Sequence, residues 1–184
     1  MTVHVALLRA VNVGGRSLAM ADLKAMLADI GLGQARTLLQ SGNIVLDVVG
    51  KSGAALERFL EAETEKRLKL KADYLVRTAG EWKAITAGNP FRRQAEDDPA
   101  HLVAVPLKAA PTEPQMSALQ GAIKGRERVR ASGRDLYIVY PDGIGRSKLT
   151  IAVIERTLAT RGTARNWNTV LKLQALVEAI VAPG

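Results

Sequence analysis

Apolar positions in the first eighty residues follow two spacings, one typical of strands and one typical of helices. Residues 3–8 form a short apolar run with β-branched side chains, which predicts a buried strand. The apolar residues of 23–30 fall at i, i+3, i+4 and i+7, the spacing of one helix face. Two strand-like runs, 35–40 and 43–48, stand on either side of Ser41-Gly42 and predict a hairpin.

A second helix over 52–70 and a strand over 72–77 complete the order β-α-β-β-α-β. This is the ferredoxin-like order, a four-stranded antiparallel sheet with two helices on one face. The same succession recurs in the second half of the chain, with strands, a helix that opens at Thr112-Glu113-Pro114 and a Ser-Gly hairpin tip at Ser132-Gly133. Where a last strand is expected, the segment 163–181 instead has a helical pattern.

The predicted fold class is therefore α/β, more narrowly α+β, with two ferredoxin-like-derived β-α-β-β-α halves, antiparallel sheets and a C-terminal helix. The first half covers 1–78 and the second, related half covers 101–184 and ends in helices. Between them, 79–100 is predicted as a linker with a short helix around Trp82 and a charged loop near Pro99. An internal duplication explains the repeat.

Polar residues and glycines gather at one end of the first predicted sheet. Strands one and two run parallel in this order, so the loop after strand one and the hairpin tip lie at the same end. Adjacent glycines before a helix can direct several backbone N–H groups at one anion, and arginine adds a two-pronged donor. The candidate ligand residues here are Arg9, Asn12, Gly14, Gly15, Ser41, Gly42 and Asn43. A tight turn that needs glycine is the alternative interpretation.

The start of the last predicted helix is unusually polar. At 100° per residue Asn166 shares a face with apolar residues, so its amide should be buried and hydrogen-bonded. A different stripe carries cations and hydrogen-bonding groups suited to an anionic ligand. Its candidate residues, with Asn166, are Arg165, Asn168 and Lys172. A solvated helix face with one buried asparagine is the alternative.

The chain is basic, with a net charge of +8, and the excess lies in its second half. Residues 1–100 hold 14 basic and 12 acidic residues, whereas 101–184 hold 12 and 6. A secondary basic patch is predicted where three arginines alternate along one strand, as phosphate-backbone stripes do. These residues are Arg126, Arg128 and Arg130. Aromatic residues make up only 4% of the chain, which is few for a base-stacking sheet.

Several kinds of chemistry lack their sequence signals. The chain has no cysteine, and its two histidines, His4 and His101, stand outside any metal-ligand spacing. Neither a G-x-G-x-x-G fingerprint nor a triphosphate-binding loop occurs, and the glycine-rich loop 141–148 is predicted as a turn before a helix. No metal and no dinucleotide cofactor is therefore expected. No apolar run is long enough for a membrane span, so a cytoplasmic protein is expected.

Three motifs in order resemble one known family. They are Leu7-Leu8-Arg9-Ala10-Val11-Asn12-Val13-Gly14-Gly15, then Thr37 through Gln40-Ser41-Gly42-Asn43, then Thr163-Ala164-Arg165-Asn166-Trp167-Asn168-Thr169 with Lys172-Leu173. The chain resembles the bacterial domain-of-unknown-function family numbered 1697 over nearly its whole length. The resemblance implies an α/β protein of two ferredoxin-like-derived halves, and it implies no reaction, substrate or catalytic residue.

The leading hypothesis is a cytoplasmic protein that binds a small anionic metabolite, carrying phosphate or carboxylate, through its polar loops. One alternative is nucleic-acid binding through the basic second half, with an affinity that falls steeply with salt. Another is a structural or protein-interaction module without a ligand. The sequence leaves open whether any reaction is catalysed and what the oligomeric state is.

Overall fold

The structure of the protein is a computed structural model, and it describes residues 2–9, 18–38 and 42–181. Two four-stranded antiparallel sheets form the described part, each with helices between its strands, so the predicted fold class is confirmed. The chain divides into two compact units, Met1–Ala84 with Lys172–Gly184, and Ile85–Leu171. The boundaries 1–78, 79–100 and 101–184, drawn from the repeat, stay a prediction.

The first sheet has the strand order β2-β3-β1-β4. Its central strands pair over six positions from Thr2↔Val48 to Leu7↔Asn43, and β1 pairs equally with β4. In chain order the elements are β1 (Thr2–Arg9), α1 (Met20–Asp29), β2 (Arg36–Leu38), β3 (Asn43–Val48), α2 (Gly53–Leu68) and β4 (Asp73–Thr78).

Alternate residues of these strands build the first core. Ala6 and Leu8 of β1, with Ile44 and Leu46 of β3, point to the face that packs against α1 and α2. The periodicity that predicts α1 marks its buried residues, Leu23, Met26 and Leu27. The spacing of apolar residues thus identifies the core face of both helix and sheet.

The second sheet has the equivalent strand order β6-β7-β5-β8. All five residues of its central strand β5 are buried. In chain order the remaining elements are α3 (Ala79–Ala87), α4 (Arg92–Asp97), a 3-10 turn (Pro99–His101), β5 (Leu102–Pro106), α5 (Glu113–Ala122), β6 (Arg128–Ser132), β7 (Asp135–Val139), a second 3-10 turn (Ile144–Arg146), α6 (Ile151–Leu158), β8 (Arg165–Asn166) and α7 (Trp167–Val181).

Side-chain caps define where two helices of this half begin. Thr112 accepts a hydrogen bond from the backbone N–H of Gln115, whose side chain accepts one from the N–H of Thr112, a reciprocal capping box. Thr150 likewise accepts from the N–H of Val153 at the start of α6. The predicted helix opening at Thr112 is confirmed.

Two sequence-based expectations are wrong, one for the second half and one for the predicted linker. The helix predicted over 163–181 begins only at Trp167, because Arg165 and Asn166 form β8 and pair with Ala104 and Val103 of β5. The edge of β5 that β7 does not cover has backbone N–H and C=O groups that need hydrogen-bond partners. Pairing with these groups places residues 165–166 in a strand despite their helical sequence pattern. The loop expected before Pro99 contains the short helix α4.

In the described part of the chain, no helix is both long and apolar enough to cross a membrane.

Gly42 joins the hairpin to the end of β1. Its carbonyl accepts the N–H of Leu8 at 2.8 Å, and its φ of 70° lies in the left-handed region. A Cβ on Gly42 stands 2.6 Å from the Cβ of Leu8, whereas one on Gly50 (φ 76°) meets open space. The hairpin tip can approach β1 this closely only because residue 42 has no side chain.

We therefore expect Gly42→Ala to destabilise the protein by about 2 kcal/mol or more, from a left-handed Cβ and a clash. Gly50→Ala carries the same backbone strain without the clash and should lose only about 1 kcal/mol. Urea denaturation of both variants measures the difference. Equal losses would contradict the proposed contact with Leu8.

His4 is fully buried in β1, and neither ring nitrogen has a hydrogen-bond partner in the described part of the chain. Burial lowers the pKa of His4 below its ordinary value of 6.5, although the nearby backbone of Thr2 and the carboxylates of Glu81 and Asp47 oppose the shift. The folded state therefore resists a proton that the unfolded chain accepts.

Stability should accordingly fall as the pH drops through 6.5, by at most about 1.4 kcal/mol per pH unit from this group. His4→Leu removes the titrating ring and should flatten the dependence. Denaturant midpoints between neutral and mildly acidic pH provide the measurement. An unchanged slope in His4→Leu would show that another group is responsible.

Candidate functional site

The described residues at the predicted first-half site form contacts within the fold. Arg9 ends β1 and its guanidinium lies 3.4 Å from the Asp73 carboxylate, with both side chains about one quarter exposed. Asn43 is fully buried, and its amide donates to the carbonyl of Leu38 at 3.0 Å, which closes the hairpin. Gly42 lies against Leu8. The other candidates, Asn12, Gly14, Gly15 and Ser41, lie outside the described residues.

Arg165 lies on β8 and is buried, so it does not share a helical stripe with the residues that follow. Its guanidinium donates to the Thr163 hydroxyl at 2.7 Å and to the Ala164 carbonyl at 2.9 Å. Burial lowers the pKa of Arg165 to about 10, which still leaves it charged at neutral pH. This arginine therefore holds the chain around β8 rather than presenting its charge on an open surface.

A second buried arginine occupies the equivalent position in the first half. Arg77 pairs with Val5 in β4·β1, as Arg165 pairs with Ala104 in β8·β5. Arg77 donates to the carbonyl of the residue before it at 3.0 Å, and Arg165 makes the same bond. The two halves thus repeat a side-chain interaction as well as a strand order.

Asn166 links β8 to both neighbouring segments. Its amide nitrogen donates to the Ala100 carbonyl at 2.8 Å, and its amide oxygen accepts the backbone N–H of Asn168 at 3.0 Å. The second bond caps the start of α7. The expected hydrogen bonding of Asn166 is present, but the residue is half-buried and precedes the helix. Asn168 and Lys172 are exposed on α7.

The predicted three-arginine stripe is wrong for Arg126. This residue lies in the bend before β6, and its guanidinium forms an ion pair with Asp142. Arg128 and Arg130 do alternate along β6 and are exposed. Arg130 donates to the carbonyl of Val129 at 3.1 Å. The stripe therefore reduces to two residues, because strand pairing with β7 begins only at Arg128.

Arg128 belongs instead to a basic cleft that sequence patterns did not predict. Its Nη2 donates to the Gln94 side chain at 3.3 Å, and its Cζ lies 5.2 Å from the centre of the Phe91 ring. The cleft is open and has a volume of about 530 Å³. We call it the arginine cleft; it is lined by Pro90, Phe91, Arg92, Arg93, Gln94, Asp97 and Arg128.

The arginine cleft has a clear excess of positive charge. Three guanidinium groups face one carboxylate, that of Asp97. Arg92 and Arg93 are exposed on the short helix α4. Both residues fall in the stretch predicted as a linker. Two adjacent arginines there were the sequence feature that could have indicated a basic site. Only the fold brings Arg128, 35 positions later than Arg93, to the same cleft.

A carboxylate-bound histidine lies in the same unit. The Nδ1 of His101 lies 2.7 Å from the Asp98 carboxylate, and the Gln94 amide donates to the same oxygen at 3.2 Å. A carboxylate only accepts, so Nδ1 carries the proton. The ring borders a pocket of about 220 Å³ that we call the imidazole pocket, lined by Ala100, His101, Val103, Tyr140, Ile144, Ala164 and Asn166.

The pairing of Asp98 with His101 is another contact that the sequence patterns did not predict. A search for metal-ligand spacing does not detect a hydrogen-bonded pair of one aspartate and one histidine. Asp98 stands three residues before His101, and Pro99 opens the 3-10 turn that brings them together. An aspartate three residues before a histidine, followed directly by a proline, was the sequence feature that could have indicated this pair.

A third pocket, of about 210 Å³, adjoins the glycine-rich loop 141–148. Ser147 donates to the Glu127 carboxylate and accepts the N–H of Leu149 at 2.9 Å. The other Glu127 oxygen is buried and has no partner among the described residues. Two carboxylates, those of Glu127 and Asp142, line this pocket and disfavour a phosphate here, although three cations, Lys124, Arg146 and Lys148, line it as well. Within the described ranges, no group of three or more potential ligand residues is placed to hold a metal ion.

Comparisons with known proteins add a family and a fold. The model of the DUF1697 family, described as protein of unknown function, matches residues 1–137. No curated protein matches the chain. The conserved bacterial protein SP0830 from Streptococcus pneumoniae has a similar structure, with a TM-score of 0.72 and 20% sequence identity over 96% of this chain and 98% of that chain. At that identity the likeness concerns the fold alone.

The contacts of Asn166 give a stability prediction. Asn166→Ala removes the cap of α7 and the bond to Ala100, so we expect a loss of about 1–2 kcal/mol in the free energy of unfolding. Asn168→Ala, two residues later on the exposed face, should change it by less than about 0.5 kcal/mol. Chemical denaturation compares the pair. If the two substitutions were equivalent, the cap would not be an important contact.

Proposed function

The chain belongs to the DUF1697 family of proteins of unknown function, and from its own residues we propose that it binds a small phosphate-bearing anion in the arginine cleft. The observation that carries the proposal is the convergence of Arg92, Arg93 and Arg128 around one open cleft. A guanidinium presents a planar set of donors that matches phosphate oxygens, and several around one site favour a multiply charged anion.

The setting of Arg128 supports binding rather than a solvated surface. Gln94 and the Phe91 ring hold its guanidinium from two sides. A side chain held in this way loses less rotamer freedom when a ligand arrives, so more of the interaction energy contributes to affinity. Neither contact is a carboxylate, so Arg128 keeps its charge available to a ligand.

The first-half site remains a second location for the anion. The bond between Leu8 and Gly42 supports it, because it brings the ends of β1 and the hairpin together. A ligand at Arg9 has to compete with the Asp73 carboxylate already beside it. The arginine cleft has three arginines against one carboxylate, and we place the anion there for that reason.

Calorimetric titration with inorganic pyrophosphate tests the proposal. Arg93→Ala and Arg128→Ala should each weaken binding by roughly 10- to 100-fold, the effect of losing one charge-assisted hydrogen bond. The matched control is Arg156→Ala, which removes an exposed arginine from α6 of the same unit. Arg9→Ala distinguishes the first-half location, since it should leave the affinity unchanged.

Two results would contradict the cleft as the site. One is an equal loss in Arg156→Ala, which indicates a diffuse charge effect. The other is a loss confined to Arg9→Ala, which assigns the anion to the first half. A short oligonucleotide in place of pyrophosphate, titrated at two salt concentrations, tests nucleic-acid binding: many phosphate contacts give a steep salt dependence.

A further inference from the structure

We infer that the imidazole pocket binds a small, mainly apolar molecule with one hydroxyl group, whose proton is accepted by Nε2 of His101. The inference is independent of the anion proposed for the arginine cleft. It rests on the chemistry of the pocket walls, on the Asp98–His101 pair and on the exposure of Ile144.

Most of the pocket wall is apolar. Ala100, Val103, Ala164 and Ile144 contribute aliphatic surface, and Tyr140 contributes its ring. A volume of about 220 Å³ accommodates a six-membered aromatic ring, since a cavity of roughly 150 Å³ binds benzene. The pocket thus suits a ligand of one ring with little polar surface.

The polar side-chain groups around the pocket are already bonded, with one exception. Both ends of the Asn166 amide are occupied, by Ala100 and Asn168. The Tyr140 hydroxyl donates to the Leu149 carbonyl at 3.0 Å. His101 uses Nδ1 for Asp98, so within the described residues its Nε2 is the side-chain group left for a ligand. One acceptor in an apolar pocket selects a ligand with one donor.

The Asp98 carboxylate fixes the chemistry of that acceptor. Because Nδ1 donates its proton to Asp98, the neutral ring carries its lone pair on Nε2. When the O–H bond of the ligand breaks, its oxygen keeps the electron pair and becomes an anion, while the proton forms an N–H bond at Nε2. The ring becomes a cation that Asp98 stabilises. Gln94 holds Asp98 through its carboxylate and its backbone carbonyl, at 3.2 and 3.0 Å, and so positions the pair.

One apolar side chain that lines the pocket, Ile144, is exposed to solvent. Ile144 is 50% exposed, one of few large apolar residues so exposed among those described. It follows Gly143 in the loop after β7 and lines the pocket. A bound apolar ring would cover this side chain and remove the exposed surface of Ile144 from water. Binding would then be favoured by the transfer free energy of the apolar surface removed from water.

Among the described residues, Asp98 and Asp142 are carboxylates that act on the His101 ring. Asp98 precedes the 3-10 turn, and Asp142 lies in the loop after β7, where it interacts with Arg126, Arg146 and His101. The experiment therefore uses one neutral pH throughout, so that the protonation of these groups is common to every variant.

The test is a titration of the full chain with 4-nitrophenol, whose phenolate form absorbs visible light. Wild-type protein should bind it and increase the phenolate absorbance. His101→Gln should abolish the increase, because an amide cannot take the proton. Asp98→Asn should weaken it roughly 10- to 100-fold, as expected when the charged partner of the ring is lost.

Two further variants show whether the signal arises in this pocket or elsewhere on the protein surface. Ile144→Ala leaves the histidine intact, changes an exposed position and should weaken binding several-fold. Arg93→Ala, in the arginine cleft, should change nothing, so failure of the anion proposal does not affect the result. The inference is overturned if wild-type protein gives no phenolate signal, if His101→Gln retains it, or if Ile144→Ala binds as tightly as wild type.

Discussion

The pairing of strand β5 on both edges is the constraint on which the second half depends. β5 is buried along its whole length, with β7 on one edge and the two residues of β8 on the other. The second pairing carries Asn166 next to Val103, within reach of the Ala100 carbonyl. One short ladder therefore sets the start of α7 and one wall of the imidazole pocket, and the 3-10 turn that positions His101 leads directly into the same strand.

Arginine has two roles in this protein, and burial separates them. Arg77 and Arg165 are buried at equivalent positions on the last strand of each half, where each donates to the preceding carbonyl. A buried charge is tolerated only when it is hydrogen-bonded, so these residues are fixed parts of the fold. Arg92 and Arg93 are exposed and line the arginine cleft, where we propose that an anion binds. Composition alone does not distinguish the two roles.

Sequence periodicity predicted most of the succession of elements along the chain and the buried face of α1, because helices and strands that cover a core repeat with their own periods. It failed where tertiary pairing decides. β8 is too short to show a period, and α4 is only six residues long. The predictions of site residues were less accurate than the prediction of the fold. Arg165 was predicted as a ligand on a helical stripe, but it lies on a strand. The Asp98–His101 pair depends on one turn, which no periodic pattern records.

The distribution of net charge along the chain does not identify where an anion site lies. The compact unit 85–171 holds 13 basic and 8 acidic residues, so both units of this basic chain carry a positive excess. Arg126 is paired with Asp142 and Arg165 is buried, and neither adds an available positive charge to the surface. What distinguishes the arginine cleft is local arrangement, since Arg92 and Arg93 fall in the nearly neutral first hundred residues. A binding site for an anion follows from where the fold brings guanidinium groups together, and a count along the chain misses it.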